Sequence, residues 1–74
     1  MTPDHLRHLL LGSMYCYAEV HNHYRRRNDP RDSAALQENK KFATVLRDFA
    51  QLLPYEHHRT DTIPLLNKML VDMR

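Results

Sequence analysis

One glycine, Gly12, in 74 residues is the feature that most narrows the folds open to this chain. Tight β-hairpin turns need residues that tolerate positive φ, and a phosphate cradle needs several glycines close together, so both are disfavoured at once. Apolar residues recur at helical rather than alternating spacing through most of the chain. This predicts an all-α fold forming a single domain over 1–74.

The first helix has a well-marked entry. Thr2 can cap the free amides, Pro3 suits the first helical position, and Asp4 favours the positive end of the helix dipole. Leu6, Leu10, Ser13, Tyr17, Val20 and Tyr24 then follow at alternating spacings of four and three, one face of a helix predicted over about 3–27. Arg25, Arg26 and Arg27 suit the negative helix end, and Asn28-Asp29-Pro30 supplies turn chemistry. A second helix is predicted over about 30–53, its core face formed by Phe42, Leu46, Phe49 and Leu53. Pro54 ends it, Tyr55 to Asp61 reads as a polar connection, and a third helix is predicted over about 63–73 with Pro64 in its first turn.

Lengths constrain how these three pack. Each of the two long helices measures about 36 Å at roughly 1.5 Å per residue, whereas a compact chain of this size is only about 29 Å across. The expected architecture is therefore an antiparallel hairpin that protrudes or bends, with Gly12-Ser13 the least costly place to bend. A short third helix would cover about half of it.

A domain this small buries a modest core, and marginal stability is expected unless something adds to it. Cys16 is the only cysteine, so no internal disulfide can contribute, and a reducing compartment is implied. Association with another chain is the expected compensation. No apolar run is long enough to span a membrane and no leader peptide is visible, which suggests a soluble, cytoplasmic protein.

Catalytic and metal chemistry find little support. His21-Asn22-His23 shares letters with the His-Asn-His nucleases, but their named residues are spread over a ββα-metal unit that nothing here predicts. His5 and His8 lie three apart, and His57-His58 could approach them with Asp4 or Glu56, yet no zinc-type ligand spacing is present and no cofactor is expected. Cys16 sits within a helix, away from the N-terminal position that activates a thiol. Glu19 and His23, four apart, form no nucleophile and base set.

The informative signals concern partners. Helix one carries too many apolar residues for one hairpin core, so Leu9, Leu11, Met14 and Ala18, with Tyr15 and Tyr24, are expected to form a partner-binding surface. The basic run Arg25, Arg26 and Arg27, joined by Arg31, Lys40 and Lys41, offers an alternative contact with nucleic acid phosphates. Against it stand a net charge of only +2 and the acidic residues Asp29, Asp32 and Glu38 interleaved with the cations. The sequence thus points to a non-enzymatic protein-interaction module, a regulator, inhibitor or adaptor working as a homodimer. Its size and lack of catalytic groups suit a phage- or plasmid-encoded regulator. A nucleic-acid-binding regulator is the second reading.

Overall fold

The computed structural model describes Thr2 to Met73, and among these residues every regular element is helical. Helix α1 spans Pro3–Arg27, α2 spans Ser33–Phe49 and α3 spans Glu56–Asp72. Single-turn 3₁₀ segments at Pro30–Asp32 and Ala50–Leu52 extend α2 at both ends, so the second arm of the hairpin runs almost as far as the sequence predicts. None of these helices is long and apolar enough to cross a membrane.

Local chemistry sets the ends. The Thr2 hydroxyl accepts from the His5 amide at 3.2 Å, with Pro3 at the first helical position. At the other end Asn28 adopts the left-handed conformation, φ 50° and ψ 43°, and its N–H donates to the Arg25 carbonyl at 3.1 Å. Asparagine is one of the few residues with a side chain that accepts this geometry at a helix C-terminus. Asp29 is extended ahead of Pro30, and its carboxylate accepts from the Arg31 amide at 2.9 Å, opening the next segment. Leu53, held extended by Pro54, closes the second arm.

The third helix departs from expectation. It begins at Glu56, so Tyr55 to Asp61 is mostly helix and Pro64 lies inside it. His58, Thr62, Leu66 and Leu70 are its buried residues, each four from the next. Because the first two are polar, the apolar period becomes visible only further along. Pro64 cannot donate to the Thr60 carbonyl, but both residues are exposed, so solvent can satisfy that carbonyl.

The chain folds up, down and up. Asn39 Nδ2 donates to the Tyr17 carbonyl at 2.8 Å, and Arg27 pairs with Asp32, so α2 runs antiparallel to α1. His58 meets Asp4, and an Arg25 guanidinium N–H donates to the Asp72 carbonyl at 3.4 Å, so α3 lies along α1 in the same direction. It covers more of the hairpin than a short helix would. The bundle measures 42 × 21 × 15 Å, its long axis close to the length of α1.

The core consists of Leu10, Met14, Ala43, Ala50, Leu53, Leu66, Leu70 and Met73. Two expected faces turn out to be rotated. In α1 the buried line passes through Leu10, Met14 and His21, while Val20 is exposed and Tyr17 and Tyr24 are half-buried. This helix must meet two neighbours rather than one. In α2 the buried positions are Asn39 and Ala43, followed by Ala50 and Leu53, with Leu46 half-buried; Phe42 and Phe49 are about half exposed. Alanine at the inner positions lets three backbones approach closely, and the bulky rings are displaced outward.

Candidate interaction surface

Phe42, Val45, Phe49 and Leu52 follow one another at spacings of three, four and three, and so line one side of the second arm. Their exposures are 53%, 46%, 50% and 69%. On α1, Leu9 and Val20 are about half exposed. Contacts with α3 show which way these residues point. On α2 the α3-facing position is marked by Arg47, whose guanidinium donates to Asn67 Oδ1; it lies roughly 150° round the helix from the apolar stripe. On α1 the α3-facing positions are Asp4 and Arg25, again roughly 150° from Leu9 and Val20.

Both stripes therefore lie on the side of the hairpin opposite α3. The seam between them is closed by Tyr17 and Phe42, whose rings stack with centroids 6.4 Å apart. The register of this pair and of Arg27 with Asp32 brings Leu9 level with Phe49. Leu6, half-buried, comes level with Leu52. The result is one elongated apolar face shared by two helices.

The expected partner-binding residues do not form a single surface. Met14 is fully buried in the core and unavailable to a partner, and Leu11 and Ala18 are half-buried against the core. Leu9 belongs to the open face. Tyr15 is exposed but turned more than a quarter of a turn round α1 from Leu9. Tyr24 is half-buried near the hairpin tip beneath the Arg27 guanidinium, 5.8 Å from its ring centre. The α2 half of the face was missed, although its signal was present: α2 carries two apolar stripes of equal period, one large and one small, and the large one is outside.

The basic residues are also dispersed. Arg31 makes a bidentate pair with Asp29, its closest N···O distance 2.8 Å, which holds the Asp29 carboxyl below its ordinary range and raises the Arg31 pKa further. Arg27 Nε lies 3.3 Å from the largely buried Asp32 carboxylate. Arg25 reaches the end of α3. Arg26 is exposed beside Asn22, Lys40 shares the α3 side of α2 with Arg47, and Lys41 edges the apolar face. An open hollow of about 440 Å³ at the tip, lined by Tyr24, Arg25, Asn28, Asp29, Pro30 and Ser33, mixes both charges.

At the opposite end of α1, His58 Nε2 lies 3.2 Å from Asp4 Oδ1, and Tyr55, His57 and His58 pack ring against ring. His5 and His8 do not join them in a metal-holding group, and no such group of three occurs among the described residues. Cys16 is an exposed free thiol on α1.

What fold and surface together define is a three-helix bundle with one side of its hairpin filled by α3 and the other open and apolar. No protein-family model, curated protein or solved structure matches the chain.

Proposed function

We propose that the chain is a small protein-interaction module, a regulator, inhibitor or adaptor without chemistry of its own, that works by covering its α1–α2 face with another polypeptide. The observation that carries this reading is the Phe42, Val45, Phe49 and Leu52 stripe beside Leu9 and Val20. Six large side chains at about half exposure or more present on the order of 500 Å² of apolar surface on one side of the hairpin, comparable to the largest patches single-chain proteins usually leave in water. Aromatic residues at its centre are of the type that anchors protein interfaces.

Photo-crosslinking tests the reading. Benzoylphenylalanine replaces Phe49 in one variant and the exposed Lys68 of α3 in another, each produced in the cells that naturally carry the chain. Polypeptide adducts from position 49 and none from position 68 are expected. Equal labelling from both, or adducts with nucleic acid alone from a probe at Arg26, would replace this reading with one centred elsewhere.

A further inference from the structure

We infer that the occupant of the α1–α2 face is a second copy of this chain, docked across a two-fold axis with α2 antiparallel to α2 and Val45 at its centre; this rests on the reading of that face as an interaction surface. The first argument is the symmetry of the stripe. A residue on the axis of an isologous contact meets its own copy, and residues equally far before and after it meet each other. With the axis at Val45, Phe42, three residues before it, and Phe49, four after it, come opposite each other to within about one residue, roughly 1.5 Å along the helix, twice. Ring therefore meets ring on both sides of a small central residue.

The rim carries the same symmetry in charge. Lys41 and Asp48 are both exposed and lie on the outer edge of the stripe, away from the seam with α1. Their midpoint falls within half a residue of Val45. An axis through Val45 thus also brings Lys41 of each copy to within about one residue, roughly 1.5 Å along the helix, of Asp48 of the other. Among the described residues no carboxylate pairs with Lys41, whereas Asp48 is touched only by its neighbour Arg47, at 3.4 Å, and keeps 66% of its side chain in solvent. Leu52 and Glu38 fall opposite each other where the overlap ends. Parallel packing of α2 on α2, with the two-fold along the helices, would instead turn each rim toward the α1 side of the other copy and lose this pairing.

Area agrees with this arrangement. The open face, counted on both copies, comes to about 1,000 Å², near the threshold for a specific protein–protein interface. The face lies opposite α3, so neither copy has to unfold or displace a helix to dock. A four-helix layer results, with α1 and α2 of each copy inside and α3 on each outer side.

Sedimentation of the full chain across a wide concentration range, combined with exchange of the rim charges, tests the proposal. A reversible dimer is expected. Lys41→Asp and Asp48→Lys should each weaken it on the order of tenfold, because each change turns two rim attractions into two repulsions, and the double exchange should restore it. In a Cys16→Ser background, Val45→Cys should form a disulfide between copies under mild oxidation, whereas Lys68→Cys should not. A strict monomer at high concentration overturns the dimer; if position 49 still crosslinks to another protein, the interaction surface stands and only its occupant is wrong. A dimer that forms no disulfide at position 45 and ignores the rim charges overturns the proposed register and face.

Discussion

Leu52 and Leu53 are neighbours of identical chemistry on opposite sides of the fold, so replacing each by alanine isolates burial from every other variable. Leu53 keeps 1% of its surface and belongs to the buried core cluster; Leu52 keeps 69%. Truncating a fully buried leucine loses the transfer free energy of the removed carbons and leaves a cavity, together about 2–5 kcal/mol. A domain of this size shifts its Tm by roughly 4–8 °C per kcal/mol, so Leu53→Ala should lower it by about 10 °C or more. Leu52→Ala removes carbons that are mostly wet, and alanine is the better helix former, so the change should stay below about 1 kcal/mol. The assay is thermal and urea unfolding followed by far-UV circular dichroism at low protein concentration, where association contributes least. The gap between parent and Leu52→Ala should widen as concentration rises and the open face becomes covered. Equal losses at low concentration, or a larger loss for Leu52, would refute the placement of Leu53 in the core and Leu52 outside it.

Thr62 is fully buried and its hydroxyl has no hydrogen-bond partner, so Thr62→Val, which keeps the shape and removes the stranded polar group, should raise stability by about 1 kcal/mol; a lower Tm would show that the hydroxyl is satisfied in solution. Asp29 has its pKa held below the ordinary 3.8, chiefly by the side-chain hydrogen bonds from Arg31, then by the Arg31 amide, with Arg27 adding to them. A folded-state pKa below the unfolded one gives stability that is present above the ordinary value and lost as pH falls through the folded value. Asp29→Asn should therefore lower the Tm at neutral pH, and parent and variant should converge in acid; a difference independent of pH would refute this assignment.

The ends of α1 were legible because single residues decide them: Thr2 and Pro3 at one end, Asn28 before Asp29-Pro30 at the other. The start of α3 was not, because His58 and Thr62 hold core positions while looking like surface residues, and Pro64 imitates a first turn. The two stripes of α2 have the same period, so spacing alone could not say which was inside. Bulk is a poor guide here, because Ala43 and Ala50 at the inner positions set the distance between backbones. The open face was legible only as an excess of apolar residues on α1. Its α2 half shares its period with the core stripe, and the α1 excess is partly taken up by α3, which runs along α1 for longer than a helix starting at 63 would.

Between Glu19 and Lys40 every buried residue is polar: His21, Asp32 and Asn39. The buried apolar residues of α1 and of the second arm lie outside this stretch, and the apolar cover at its level comes from Leu70 and Met73 at the end of α3, where Arg25 reaches the Asp72 carbonyl. Free energy of opening should therefore be graded along the molecule, highest around Leu10 and Met14, where all three helices pack, and lowest toward Asn28, beyond the end of α3. The amides of the hairpin tip should exchange with solvent well ahead of those around Met14. Such a gradient makes the turn at Asn28 to Pro30 the natural place for the chain to tolerate insertion or cleavage without losing the bundle.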